Sequence, residues 1–401
     1  MKLPTQNLLA DNIFDIEFQG YLSNHVKHAI VALDKLDAPA ERIQGYWDTY
    51  TKLTPYNLQV EKVPTAWDQV QPIATKEEWK NLRGKKKKWQ EMCSFLELEK
   101  MNRFGGDTNL LVKEFAPDLL GGISGALTHG IIHLGWGIDS KSDWMTLEGL
   151  AYLNFCHLGV DESQFKDDAV EENTPLESML RIANEYSSKN LKATWIEDSK
   201  AKLGEEFHPE LIPSGFQWNL TKVLANPHPV ALEHPTWLSK DPLEQIWKNL
   251  YQTGTLIYLA TRGKDDHGNF LILHSITSLW ALEKVCRVID DPQVERKALK
   301  QYYGSLVCLL AAGNAGFPTV DMLQTTKTEF PWTKLDDDKA CFDWETTVVV
   351  GIQETEEHNI KLVYVMKALW DRYNQWSGFS QAAKCFVLTP NIGPSKTEYK
   401  A

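Results

Sequence analysis

The chain is 401 residues long with a formal charge of −12, so it lacks the overall basic field that general nucleic-acid binding requires. Its 43% hydrophobic content, with 15 Trp, 13 Tyr and 15 Phe, can bury a sizeable core, as one large domain or two smaller ones. No apolar run reaches the ~20 residues of a membrane span, and six scattered cysteines without a CxxC pair suit reduced thiols rather than a zinc ribbon or disulfide framework.

Residues 1–20 read as a partly extended lead-in, and Met1–Asn7 has no apolar h-region. That predicts no secretory signal and a cytoplasmic protein. From Tyr21 a helix is signalled by Leu22, Val26, Ala29, Ile30, Leu33 and Leu36 at helical period. On a helical wheel His25 falls at the edge of this apolar stripe. His28 lies a further sixth of a turn toward the polar side, which predicts a surface or boundary position. Asp37-Ala-Pro39 ends that helix and Ala40–Tyr50 forms the next. A Pro-containing loop over 53–75 leads to an aromatic-lined helix over Glu77–Phe104, broken at Gly84, whose basic run Lys85–Lys88 reads as solvated.

After a short helix at Asp107–Phe115, the stretch Leu119–Asp139 is apolar, free of Pro and rich in small residues. Each Gly weakens a helix by about 0.5–1 kcal/mol relative to Ala. A chain accepts that cost where another helix or a ligand must approach the backbone. His129 and His133 lie four apart here, on one face and one turn from each other. Trp144–Leu158 is the next helix. The acidic segment 159–175 reads as an exposed linker, and shorter helices follow at about 176–188 and 196–205. The loop Asn226–Pro235 is dense in Pro and His. Beyond Asp241-Pro242, an N-cap with Pro at the first helical position, helices are predicted at Leu243–Thr261, Phe270–Ile289, Val294–Ala312, Thr355–Tyr373 and Trp376–Cys385. Thr346–Ile352 is the one β-looking run. The class is mainly α: a single large multi-helix domain over 1–388 with a buried histidine-lined site, and a loose tail over 389–401.

His274 sits inside a very apolar helix, where an unpaired polar group costs about 1–3 kcal/mol. His358 and Lys361 are one turn apart on a core-facing stripe. A core lysine needs neutralising or pairing. Glu357 or Glu354 would serve as partner; alternatively a nearby dication depresses the ammonium, and the free amine takes up CO2 to become a carbamate, an anionic oxygen ligand. Histidines with one anionic oxygen and an open position suit iron(II) oxygen chemistry, whereas hydrolytic zinc needs fewer ligands. His157, His208, His228, His234 and His267 read as structural or exposed. Dinucleotide, P-loop, nucleophile-elbow and HExxH motifs are absent, so redox chemistry falls to a metal or an outside reductant.

Five motifs in order resemble the questin oxidase-like family: Asn24-His25 with Ala32-Leu33; Gly121-Gly122 with Thr128-His129-Gly-Ile-Ile-His133; Leu150-Ala-Tyr-Leu153; Leu273-His274-Ser-Ile-Thr277; and Glu357-His358-Asn-Ile-Lys361. The resemblance implies a helical oxidoreductase that opens an aromatic polyketide ring, such as that of an anthraquinone, by Baeyer–Villiger-type oxygenation or dioxygenation. It implies non-haem Fe(II) held by His25, His129, His274, His358 and a carboxylated Lys361. Lys361 and His133 would be catalytic, with His133 beside the metal or an alternative ligand. The implied partners are a small aromatic substrate in a Trp- and Tyr-lined pocket and O2. NADPH is admitted as reductant although no motif binds it. Trp79–Lys88 and Asn226–Pro235 depart from the family's pattern, and both are candidates to shape the substrate pocket. Two rival readings are a metal-dependent hydrolase, which would turn over without O2, and a helical binding protein, which would hold no metal. Neutral imidazoles bind metal, so activity is expected to fall below about pH 6.

Overall fold

Seven helices frame the interior of the computed structural model, which describes residues 1–313, 315–332 and 342–390. They are α1 (Val26–Lys35), α2 (His129–Ser140), α3 (Asp143–Phe155), α4 (Leu243–Ala260), α5 (Phe270–Ile289), α6 (Pro292–Ala312) and α7 (Glu357–Arg372). Side-chain caps start α3, α5, α6 and α7. Ser142 accepts from Met145 N–H before α3, Asn269 from Leu271 and Ile272 before α5, and Asp291 from Gln293 and Val294 before α6. The protein is mainly helical, as its patterning predicts. The described residues hold only short strands: β1 (Glu17–Phe18) antiparallel to β2 (Leu22–Ser23), and β3 (Lys166–Val170) parallel to β4 (Glu233–Pro235).

Helix α2 lies between α3 and α5, while α1 crosses α7 and touches α2, and α7 packs on α5. Four histidine-bearing segments therefore converge from positions far apart in the chain. The glycines of α2 and α3 allow this. A Cβ on Gly135 would stand 2.4 Å from Ala281 Cα, and one on Gly149 would stand 2.4 Å from Leu134 Cα. Here the close approach that the small residues anticipated is helix on helix.

Three expectations are corrected. Thr346–Ile352 is not a strand: it belongs to the helix Trp344–Gln353, started by Asp343 accepting from Thr346 N–H. Its Gly351 packs against Val363 of α7. Context outweighs the β-branched propensity, for no sheet lies there to receive a strand. Segment 159–175 is more than an exposed linker, since it contains β3 and a buried Glu172 paired with Arg181 at 2.7 Å. The long helix expected across Leu119–Asp139 is two pieces, a 3-10 turn at Pro117–Gly122 and α2. Between them Ala126, Leu127 and Thr128 all have left-handed backbones (φ 49°, 52° and 68°). Of the expected tail, only Thr389 and Pro390 fall within the described residues. Cys341 lies outside them, and Cys93, Cys156, Cys286, Cys308 and Cys385 are buried and free. No helix among the described residues is long and apolar enough to cross a membrane.

Candidate metal centre

Each histidine of the centre is placed by a distinct local device. The left-handed run 126–128 disfavours L-residues by roughly 1–2 kcal/mol each, and its product is a carbonyl aimed back at the next helix. His129 Nδ1–H donates to Ala126 O at 2.5 Å. His274, one turn into α5, donates its Nδ1–H to Phe270 O at 2.8 Å. A carbonyl only accepts, so both rings carry their proton on Nδ1 and leave Nε2 bare. His358 turns Nδ1 toward Glu356 Oε1 at 2.8 Å, and Glu356 Oε2 caps α7 by accepting from His358 N–H. His25 is the residue just before α1, its N–H donating to the Tyr50 hydroxyl. Its Nδ1 lies 2.8 Å from Lys361 Nζ.

The rings meet in one cluster. Ring centroids are 4.5 Å apart for His25 and His129, 4.6 Å for His25 and His358, and 4.9 Å for both His129–His274 and His274–His358. One nitrogen from each of His25, His129 and His358 falls within a 4.8 Å group able to hold a metal ion. The Nε2 atoms of His274 and His358 face each other at 3.2 Å. Two nitrogens about 2.1 Å from one metal at right angles would lie about 3 Å apart. The sharpest sign of fit is His129 Nε2, which is bare, buried and without a partner. A buried acceptor left so costs about 1–3 kcal/mol. A cation in the cluster satisfies it and relieves the facing pair. His129, His274 and His358 have their far nitrogens held by carbonyl or carboxyl oxygens, the usual arrangement of metal-bound histidine, whereas His25 turns its Nδ1 to Lys361.

Burial is the main influence on every titration here. It holds His25, His129 and His358 well below the usual imidazole value, with Lys361 or the other histidines adding to it, and brings His274 down to about 3. Burial also lowers the Lys361 ammonium to about 8, against the opposing pull of Glu357 and Glu356. Glu356 is pushed well above the carboxylate range by burial and by Glu357 beside it. Neither carboxylate suggested for Lys361 forms a hydrogen-bonded pair with it: Glu354 accepts from the Asn359 amide, and Glu357 accepts from the Tyr56 hydroxyl on Oε1 while its buried Oε2 has no hydrogen-bond partner.

His28 is a correction. It is fully buried, and its Nε2 lies 3.0 Å from His133 Nδ1. His133 Nε2 reaches Glu148 Oε2 at 3.3 Å, and Glu148 forms a buried pair with Lys27 at 2.6 Å. Both nitrogens of His133 are thus occupied, which keeps it beside the cluster instead of among the bare nitrogens. The wheel misplaced His28 because α1 is buried all round from Val26 to Leu33, Lys27 included, and has no polar face there. Glu148, Glu356 and Tyr56 also escaped the sequence reading. Only Glu356, two residues before His358 at a helix start, left a signal, that of an N-cap.

A narrow cleft with only about 20 Å³ of room inside reaches the left-handed turn and includes Lys86, Ser124, Ala126, Leu127, His157 and His208 in its walls. The expected Trp and Tyr lining is absent from it. Of the two departing segments, the basic run contributes Gly84 and Lys86, whereas Asn226–Pro235 lies elsewhere. His234 of that segment is fully buried with its Nδ1 facing Asp167 Oδ1 at 3.3 Å, the structural rather than the exposed of the two roles expected for it.

A mainly helical protein with a buried, multi-histidine centre fit for a metal is what fold and site define together. The sequence profile of the questin oxidase-like family matches residues 22–366, most of the chain, and the protein belongs to that family. Membership places it among oxidoreductases of the oxygenase kind, associated with aromatic polyketides and O2. No curated protein matches it.

Proposed function

We propose that the protein is a non-haem iron(II)-dependent oxygenase that cleaves a ring C–C bond of an aromatic polyketide such as a hydroxylated anthraquinone. The observation that carries this reading is His129 Nε2, buried, bare and unpartnered in a ring of neutral imidazoles. His25, His129, His274 and His358 would hold the metal, and Lys361 would join them as its carbamate. In forming that ligand the free amine adds to CO2 and releases one proton. The lowered Lys361 ammonium and its full burial favour the free amine.

Iron(II), when bound, supplies the one-electron chemistry that ground-state O2 requires. The chain's residues do the rest. Ala126 O, Phe270 O and the Glu356 carboxylate fix which nitrogen each imidazole offers. The Phe270 ring, 4.6 Å from His358, walls the centre against water. His133, held between Glu148 and His28, acts as a positioning residue that keeps the His28 ring beside His25 at 5.3 Å. The cleft at Ala126 and Leu127 is the proposed approach for the substrate.

Metal analysis of protein purified without chelator, beside Lys361→Ala, is the test. Near-stoichiometric iron, lost or much reduced in the variant, is expected, with O2-dependent consumption of hydroxylated anthraquinones. Zinc in its place with anaerobic turnover, or no metal after anaerobic iron(II) reconstitution, would overturn the reading.

A further inference from the structure

Helix α2 carries a third residue on the face of its two histidines. Trp136 lies seven residues beyond His129 and three beyond His133, and it is fully buried with its ring centroid 6.2 Å from His28. Its indole N–H has no partner, a loss that a Phe or Leu of the same helix would not incur. The Tyr364 ring is 5.6 Å from Trp136, one helical turn beyond Lys361 on α7. Tyr364 is half-buried, and its hydroxyl donates to Asp139 Oδ2 at 2.6 Å. Asp139 also meets Lys284 at 2.9 Å and Lys35 at 3.6 Å, so its carboxylate is anchored facing the phenol. The aromatic line continues to Trp280, 5.8 Å from Tyr364, but there Lys284 stands 4.1 Å over the indole face.

These contacts have a redox meaning. Trp and Tyr are the side chains most easily oxidised by one electron, and a phenol bonded to a carboxylate loses its electron more easily because its proton leaves along the same bond. An ammonium over the Trp280 face opposes positive charge on that ring. An oxidising equivalent arriving at Tyr364 therefore stays there.

We infer that Trp136 and Tyr364 form an electron-transfer path from the histidine centre to the surface, ending in a tyrosyl radical on Tyr364. The inference rests on the oxygenase reading for its oxidant, O2. Reduction of O2 to two waters takes four electrons, with four protons from solvent, and with no substrate present the centre would lack at least one of those electrons. Trp136 supplies that electron and becomes a radical cation. Tyr364 returns an electron to Trp136 and passes its phenolic proton to Asp139, which leaves a neutral radical at the half-exposed position. A solution thiol or ascorbate then restores the phenol by giving one electron, and Asp139 returns the proton. The net result is one electron moved from the reductant to the centre, with no side chain consumed.

Two arms of one experiment test this. In the metal-free protein, flash photolysis of ruthenium tris-bipyridine with persulfate injects the oxidising equivalent without iron or O2. Freeze-quenched electron paramagnetic resonance should show a tyrosyl signal that is lost in Tyr364→Phe, a change of one hydroxyl that leaves the ring packing intact. In the iron-loaded protein exposed to O2 without substrate, the same signal should appear and be lost in both Tyr364→Phe and Trp136→Phe. A photolysis signal unchanged by Tyr364→Phe would overturn the path. So would iron-loaded protein that consumes O2 without a Tyr364-dependent radical. Failure to consume O2 at all would sink the oxygenase reading, and the metal-free arm would still decide whether Tyr364 is the terminus.

Discussion

Lys27 and Glu148 form an ion pair with almost no contact with solvent, and Glu148 also receives His133. Charges taken out of water in this way are stable only together, because removing one partner strands the other. Lys27→Met should cost about 3–5 kcal/mol, and Lys27→Met combined with Glu148→Leu should recover most of the loss, since a matched apolar replacement of a buried pair is often neutral. Urea midpoints of the two variants check this. At the residue scale, position was easier to read than partnership. His25, His129, His274, His358 and Lys361 stand out as polar groups on apolar helical stripes, and the fold brings them together. The oxygen partners of His129 and of His133 beside the cluster are not legible, because the Ala126 carbonyl depends on three left-handed residues and Glu148 looks like an ordinary helix glutamate.

Helix α2 runs so close to α5 that a side chain at Gly135 would occupy the place of Ala281. Gly135→Ala, a substitution that favours an isolated helix, should therefore destabilise this one by about 1–3 kcal/mol through overpacking. Ala281→Gly in the same chain should relieve little of it, because the nearest atoms, the Ala281 Cα and carbonyl O at 2.4 Å, are backbone that a glycine keeps, as a double-mutant cycle of thermal midpoints would show. Hydrophobic period located α1, α5, α6 and α7 to within a few residues because each buries a continuous stripe. It failed at Thr346–Ile352, where a cap and one small residue decide for helix, and at residues 123–128, where the break is made by backbone conformation that no side-chain pattern announces.

Across the whole molecule, burial outweighs pairing in setting the acid response. His157 and His234, away from the proposed ligands, are both brought down to about 4, chiefly by burial. Their unfolded value is about 6.5, so as pH falls through 6.5 toward 4 the unfolded chain takes up protons that the fold refuses. Stability is then lost at about 1.4 kcal/mol per pH unit for each group. Asp15, raised to about 6 by burial, works in the opposite direction between about 4 and 6, as do the buried Glu17, Glu356 and Glu357, whose carboxyls burial also raises, but the lowered histidines outnumber them. The metal-free protein should accordingly show a lower urea midpoint at pH 5 than at pH 7.5, with the buried imidazoles of the centre adding to the fall. A midpoint independent of pH would mean that these histidines are hydrated in the fold.

His25 and Lys361 touch across 336 residues of sequence, and the other members of the centre come from α2, α5 and α7 in between. During synthesis the first histidine must therefore wait for nearly the whole polypeptide before its neighbours exist. A nascent or truncated chain that ends before α7 lacks His358 and Lys361 and holds only scattered imidazoles. If the centre takes a metal as proposed, loading is a final step of maturation that distinguishes finished molecules from incomplete ones.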